Sequence, residues 1–226
     1  MKNIILLHGA LGSAAGWHHV ANEFYPDGRV FIPDLPGHGN NGSVLPKTSL
    51  TTLVDFLKGF IKENVHGEYV IVGYSMGGYM ALKFAVQQPE SLKGIITIAT
   101  KFDWNEEIAA HAAANLTKEN LNGIWEKLAE EHAGNAERIL ETTQQILLSV
   151  GDQPLTQTDL AQIIVPVKIL LGDRDTIVAY EETKLFGSFI PDAETDLLVN
   201  QPHLLQKMDA SVLKNVLQKY IDALFR

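Results

Sequence analysis

Short apolar runs recur along the chain, and each of them ends at a glycine or a polar turn. Their hydrophobicity is continuous rather than alternating, which is typical of strands buried on both faces of a parallel sheet. The pattern therefore predicts six buried strands. The runs cover residues 4–7, 30–32, 69–72, 95–99, 167–171 and 196–199.

Longer segments between these runs carry apolar residues three and four positions apart, which predicts amphipathic helices. Pro89 would end the second of them, because proline cannot continue a helix. Strands that alternate with helices indicate an α/β sheet covered by helices, with its ligand site beyond the carboxyl ends of the strands. The helical segments are 50–65, 76–88, 179–190 and 210–225.

One region interrupts this alternation, since residues 102–162 contain helical patterns and no strand pattern. The last of these patterns begins with Thr156 and Asp159, which fit a capping box. An insertion of this length is expected to lie over the ligand edge of the sheet and to act as a lid. We therefore predict an α/β core formed by 1–102 and 163–226, with a helical cap at 103–162.

Composition narrows the classes of partner. The chain has 226 residues, a net charge of −9 and no cysteine. An acidic chain lacks the basic surface that nucleic acids and anionic membranes require, and without cysteine it has no disulfide or thiolate metal site. No apolar stretch is long enough to span a membrane. We expect a cytoplasmic protein with a small-molecule substrate, whose oligomeric state the sequence does not indicate.

Residues 73–77 read Gly-Tyr-Ser-Met-Gly and lie between a predicted strand and a predicted helix. The form G-x-S-x-G in this setting is that of a nucleophile elbow, a strained turn that exposes the serine hydroxyl. Glycine is expected on both sides because strand and helix backbones nearly touch there. The stretch predicts Ser75 as a nucleophile, with its reaction partner at a helix N-terminus.

A serine nucleophile needs a histidine base, and three histidines follow Ser75. His111 and His132 lie in the predicted insertion, where we interpret them as solvated or packing residues. His203 follows the last predicted strand in a turn, which is the position of the base in sheets with this elbow. We therefore predict His203 as the base.

An acid must orient that histidine, and in such sheets it follows an earlier strand. Residues 172–175 read Gly-Asp-Arg-Asp after the fifth predicted strand. We favour Asp175 over Asp173, because Asp173 can cap the turn or pair with Arg174. Asp103, after the fourth predicted strand, is a third candidate.

An oxyanion intermediate needs two N–H donors. One is the amide after the nucleophile, that of Met76, and the other comes from the loop after the first strand. Ala10 is the predicted donor in that loop, with Leu11 as the alternative. We interpret His8, which precedes the turn, as a residue that stabilises the loop.

These motifs together resemble the α/β-hydrolase superfamily in its small capped branch. The resemblance implies a sheet shortened to about six strands, since most relatives begin with two additional strands. It also implies that residues 34–39 form a tight turn near the pocket. The motifs that carry the resemblance are residues 8–13 with Trp17, residues 34–39, residues 73–78, residues 172–175 and His203.

The predicted pocket lies between lid and sheet, with a lining that suits an apolar acyl or alcohol group. Its predicted lining residues are Leu11, Trp17, Met76, Phe102, Trp104, Trp125 and Val178.

The predicted function is hydrolysis of carboxylic esters or thioesters, with neither metal nor organic cofactor. Serine at the elbow argues against epoxide hydrolases and haloalkane dehalogenases, which by resemblance attack through a carboxylate. C–C bond hydrolases, lactonases and slow-turnover ligand receptors of the same fold remain alternatives.

The sequences of residues 8–13 and 73–78 also resemble those of the pyruvate-eliminating synthases of the menaquinone pathway. Those synthases have an arginine where this chain has Tyr79, and they need several arginines in the pocket to bind carboxylates. The whole chain has only four arginines, which makes this activity the second choice.

Overall fold

The computed structural model describes residues 2–21, 28–42 and 48–226. Six strands form one sheet in these ranges. Each predicted run overlaps one of them. Three of the strands, the fourth, fifth and sixth along the chain, each include at least three residues that lie outside the predicted run. The strands are β1 (Lys2–Leu7), β2 (Gly28–Phe31), β3 (Tyr69–Tyr74), β4 (Leu92–Ile98), β5 (Val167–Arg174) and β6 (Ala193–Pro202).

The strand order is β2-β1-β3-β4-β5-β6, and every neighbouring pair is parallel. In the middle of the sheet, Ile5 is in register with Ile71, which is in register with Ile95. All three side chains are completely buried. The prediction of a mostly parallel sheet of about six strands is confirmed, and within the described residues all of its neighbouring strands are parallel.

Helices cover both faces of the sheet and divide the core into two apolar layers. On one face, Ile5 and Leu7 of β1 belong to the layer that contains Leu53 and Met80. On the other face, Ile4 of β1 belongs to the layer that contains apolar residues of the last helix. The helices are α1 (His18–Ala21), α2 (Leu50–Asn64), α3 (Met76–Ala85), α4 (Glu106–Asn115), α5 (Trp125–Glu131), α6 (Ala136–Asp152), α7 (Gln157–Ala161), α8 (Tyr180–Gly187) and α9 (Ala210–Leu224).

The segment between β4 and β5 contains α4 to α7 and no strand. Within it, α6 contacts both α4 and α5, and it also contacts α2 of the core. The predicted capping box is present at α7, where the Thr156 hydroxyl and the Asp159 carboxylate each accept the other residue's backbone N–H. The division of the chain into core and cap, and the action of this segment as a lid, stay predictions.

Helix α4 had no specific prediction, although its N-terminus carries a recognisable signal. Asn105 caps the helix by accepting a hydrogen bond from the backbone N–H of Ile108. Glu106 and Glu107 follow in the first turn, where carboxylates interact favourably with the helix dipole. The many alanines of this helix obscure its apolar face, so periodicity alone did not reveal it.

We predict that Thr156→Ala lowers the free energy of unfolding by about 1 kcal/mol, because α7 loses its N-cap. Thr158→Ala is the matched control, since Thr158 is exposed on the same helix. Urea denaturation of both variants checks the prediction. Equal stabilities of the two variants would contradict it.

Candidate active site

Ser75 lies at the turn between β3 and α3, in a backbone conformation that side chains rarely adopt. Its φ is 50° and its ψ is −115°. It is the N-cap residue of α3, yet its hydroxyl makes no capping hydrogen bond. Because Ser75 is also partly exposed among buried neighbours, the turn presents its hydroxyl to the space beyond the sheet. Strain of this kind is concentrated at functional sites.

Gly73 and Gly77 are required by close backbone contacts. A Cβ on Gly73 would lie 2.4 Å from the Gly78 nitrogen, and a Cβ on Gly77 would lie 2.6 Å from the carbonyl oxygens of Leu7 and His8. Neither distance is possible without moving backbone. The predicted contact of strand with helix is therefore present at Gly73, while Gly77 faces the end of β1.

The neighbouring strand β4 holds the elbow from the other side. The Ser75 amide donates a hydrogen bond to the Ile98 carbonyl at 2.8 Å. Just after β4, the Thr100 hydroxyl donates to the Ser75 carbonyl at 3.1 Å. Both backbone groups of Ser75 are thus held by β4 and the residues that follow it, and the position of the hydroxyl is set by the sheet.

His203 follows β6 and is joined to Asp175, which follows β5. The His203 Nδ1–H donates to Asp175 Oδ2 at 2.7 Å. The other carboxylate oxygen, Oδ1, accepts hydrogen bonds from the amides of Ile177 and Val178 at 2.8 and 2.9 Å. The Tyr74 ring lies 5.7 Å from the imidazole, centroid to centroid. These contacts fix the orientation of the imidazole.

The Asp175 side chain is inaccessible to solvent. Burial by itself disfavours the carboxylate, but the hydrogen bonds from His203 and from the two amides outweigh it and hold the pKa of Asp175 below its ordinary value. Asp175 is therefore a charged partner for the imidazole at neutral pH.

The alternative acids lie elsewhere. Asp173 is exposed, and Arg174 donates to the Asn200 side chain at 2.6 Å rather than pairing with Asp173. Asp103 is also exposed, and its amide donates to Glu182 on α8. Of the three aspartates, only Asp175 contacts His203.

A cavity of about 820 Å³ opens beside Ser75. Ser75, His203, Ala10 and Met76 all line it, so the structure brings the predicted nucleophile, base and oxyanion donors to one surface. The alternative donor, Leu11, is not part of this lining, and its carbonyl accepts a hydrogen bond from His132. The remaining lining residues are Tyr79, Lys101, Trp104, Asn105, Glu107, Ile108, His111, Ala112, Leu116, Leu147, Val150 and Ile177.

Of the predicted lining residues, Met76 and Trp104 line the cavity and five do not. Trp17 is completely buried in the apolar layer on the opposite face of the sheet. Phe102 is buried against Phe186 of α8, with ring centroids 5.9 Å apart. These side chains follow strands near the site, but local backbone direction turns them into the core.

The other three residues pack outside the cavity as well. Trp125 belongs to a small apolar cluster with Leu128 and Ala136, against which Leu11 also packs. Val178 is buried, and its amide serves Asp175. The cavity lining that sequence reasoning missed comes mainly from α4 and α6.

Three buried histidines join loops of the core to the end of α5. His8 Nε2 accepts from the Leu35 amide at 3.1 Å. His132 Nδ1 accepts from the Gly39 amide at 2.8 Å, and its Nε2–H donates to the Leu11 carbonyl at 3.1 Å. The His38 ring lies between them, 4.9 Å from His8 and 6.2 Å from His132. His8 and His132 thus have the packing roles expected for them.

Burial disfavours the charged form of all three imidazoles. It lowers the pKa of His8 to about 4, and it also lowers the pKa values of His38 and His132. Asp34 and Glu131 raise the pKa values of His8 and His132, while Arg138 lowers those of His38 and His132. The desolvation cost is the larger effect at each ring.

The comparison with protein families identifies the class. A profile described as alpha/beta hydrolase fold matches residues 2–144, which is more than half of the chain. The chain therefore belongs to the α/β-hydrolase-fold family, and the predicted family is confirmed.

Curated relatives carry an esterase name. A pimeloyl-[acyl-carrier protein] methyl ester esterase of Aeromonas hydrophila is 34% identical over 229 residues, covering 89% of this chain and 88% of the relative. An enzyme of the same name from Pseudoalteromonas atlantica is 30% identical, covering 78% and 70%. The solved structure of MenH from S. aureus has a TM-score of 0.83 at 19% identity, covering 100% and 95%. At that identity the likeness shows the fold alone.

Within residues 2–21, 28–42 and 48–226, no group of three or more histidine or acidic side chains is arranged to hold a metal ion. In the same ranges no helix is both long and apolar enough to cross a membrane.

We predict that the free energy of unfolding falls as the pH drops below about 6.5. The unfolded chain then takes up protons at His8, His38 and His132, whereas the folded protein excludes them because their folded pKa values are lowered. For His8 alone, a change from 6.5 to about 4 corresponds to roughly 3 kcal/mol. Urea denaturation between pH 7.5 and 4.5 measures the effect.

The exposed His66 provides the control. His66→Asn is expected to show the same dependence of stability on pH as the wild type. A free energy of unfolding that stays constant from pH 7 to pH 5 would show that the folded protein accepts these protons.

Proposed function

We propose that the protein is a serine hydrolase that cleaves carboxylic esters or thioesters. The observation that carries the proposal is the cavity shared by Ser75, which is partly exposed at a strained helix N-terminus, and His203, which is oriented by Asp175. The esterase names of the curated relatives support the same class of reaction.

The reaction begins with attack of the Ser75 hydroxyl on the acyl carbon. His203 Nε2 takes the hydroxyl proton, while its Nδ1–H stays bonded to Asp175. The Asp175 carboxylate stabilises the imidazolium that forms. Its two amide hydrogen bonds keep it in place and deprotonated during this step.

The tetrahedral intermediate carries a negative charge on the former carbonyl oxygen. We assign the backbone N–H groups of Ala10 and Met76 to this oxygen, since both residues line the cavity beside Ser75. Met76 is the first residue of α3, so the positive end of the helix dipole favours the same charge.

The second half of the reaction reverses the proton path. His203 gives its proton to the leaving alcohol or thiol, and the acyl group remains on Ser75. Water then attacks the acyl-enzyme with His203 as the base, and the acid is released. The bond from the acyl carbon to the ester oxygen or thioester sulfur and one O–H bond of water break. The bond from the acyl carbon to the water oxygen and the O–H or S–H bond of the leaving group form.

We propose further that residues 103–162 form a cap that shapes the acyl site. Apolar side chains of α4, of its C-cap residue and of α6 line the same cavity as Ser75, among them Ile108, Leu116 and Leu147. Their apolar character suits a small, largely aliphatic substrate group.

We also propose a cytoplasmic location without nucleic-acid or membrane partners, which accords with the acidic, cysteine-free composition.

We expect a fluorophosphonate probe to add one adduct to the wild type and none to Ser75→Ala, because only an activated serine reacts. Intact-mass spectrometry measures the adduct. Turnover of nitrophenyl esters by the wild type then distinguishes a hydrolase from a receptor that keeps the triad. A folded wild type without adduct would refute the assignment of Ser75.

Replacement of the Asp175 carboxylate by an amide tests whether Asp175 is the acid that orients His203. We expect Asp175→Asn to lower kcat by about 10³- to 10⁴-fold, because the imidazole loses its charged partner and its correct tautomer. Asp173→Asn is the matched control two residues away and should stay within about threefold of the wild type. Equal losses in both variants would remove Asp175 from the mechanism.

A further inference from the structure

The cavity has a polar side as well as an apolar one. Its titratable residues, apart from Ser75's partner His203 and buried Tyr79, are Lys101, Glu107 and His111. Glu107 and His111 are one turn apart on α4, and Lys101 follows β4. These three residues decide which charges the substrate can carry into the cavity.

The positive charge of Lys101 is already neutralised. Its Nζ lies 2.9 Å from Glu182 Oε2, and the two side chains are only 24% and 14% exposed. The second carboxylate oxygen of Glu182 accepts from the amides of Phe102 and Asp103 at 2.7 and 2.9 Å. Glu182 is held by three donors from consecutive residues, so it cannot readily leave Lys101 to a substrate carboxylate.

Glu107 is exposed on α4 and lines the same cavity. No salt bridge joins it to a residue in the described parts of the chain. With Lys101 and Glu182 cancelling each other, Glu107 leaves the described cavity wall with a net negative charge when His111 is neutral.

The segment that contains α4 is itself strongly acidic. Residues 103–162 hold eleven Asp and Glu against three Lys and Arg, which accounts for eight of the nine net negative charges of the chain. A surface with one sign of charge around a cleft repels ligands of the same sign. Of the acidic residues in this segment, Glu107 lines the cavity.

We propose that the substrate group bound in this cavity is electrically neutral, and that Glu107 and the Lys101–Glu182 pair select against acyl chains that end in a carboxylate. The proposal rests on the proposed esterase function. It names the substrate class as esters with an uncharged aliphatic chain, and it gives Glu182 a positioning role in substrate selection.

The test compares two activated esters of matched length, p-nitrophenyl hexanoate and mono-p-nitrophenyl adipate. Assays at pH 8 keep histidine largely uncharged. The wild type should have a kcat/KM at least about tenfold higher for the neutral ester, because the terminal carboxylate of the adipate ester meets the unpaired negative charge of Glu107 in the same cavity. Added salt should reduce the ratio.

Three variants locate the effect. Glu107→Gln should lower the ratio by removing the repelling charge. Glu182→Gln should lower it by exposing Lys101 while keeping a carbonyl for the two amides. Lys101→Met should raise it, because Glu182 is then unpaired. Glu126→Gln, an exposed position on the same cap segment, is the matched control and should leave the ratio within about twofold.

The outcomes separate this proposal from the proposed function. A wild-type ratio near one, or a preference for the adipate ester, overturns the proposal while fluorophosphonate labelling of Ser75 leaves the hydrolase standing. A tenfold ratio that none of the Glu107, Glu182 and Lys101 variants changes would overturn the role of these residues. Absence of labelling and turnover would instead reject the proposed function, and this proposal with it.

Discussion

The backbone at Gly73 and Gly77 leaves no room for a side chain, and the rest of the site depends on that close approach. It lets β3 turn directly into α3 and holds Ser75 at a positive φ, with its hydroxyl outside the sheet. The same contact places the end of β1, and so the loop with Ala10, against the start of α3. Nucleophile and proposed oxyanion donors are thus positioned by one steric constraint.

The parallel sheet brings the other groups to this point. Asp175 and His203 follow neighbouring strands, β5 and β6, so their loops meet at the carboxyl edge where Ser75 also lies. The amides of Ile177 and Val178 then keep the buried Asp175 side chain charged. Glu182 of α8 likewise accepts hydrogen bonds from two backbone amides, in the segment that leads from β4 into the helical insertion. Backbone amides hold both carboxylates in place.

Charge is distributed unevenly over this framework. The histidines that join the core loops to α5 are buried and neutral, whereas the insertion above the cavity carries most of the net negative charge. The cavity lies against this insertion, and its lining combines apolar side chains such as Ile108 and Leu147 with the charged side chains of Lys101 and Glu107. The buried histidines therefore make the contacts between the core loops and the end of α5 sensitive to acid pH.

The sequence by itself determined the six strands, the elbow at Ser75 and the capping box at Thr156, because each has a sequence pattern that is contained within a few residues. It also indicated Asp175 and His203, since their positions after strands are properties of chain order. The lining of the cavity was decided by the tertiary structure. Trp17 and Phe102 are large and apolar near the site, but the path of the backbone after each strand turns them into the core. The actual lining from α4 and α6 depends on how two helices pack over the sheet, and the neutralisation of Lys101 requires a partner 81 residues away.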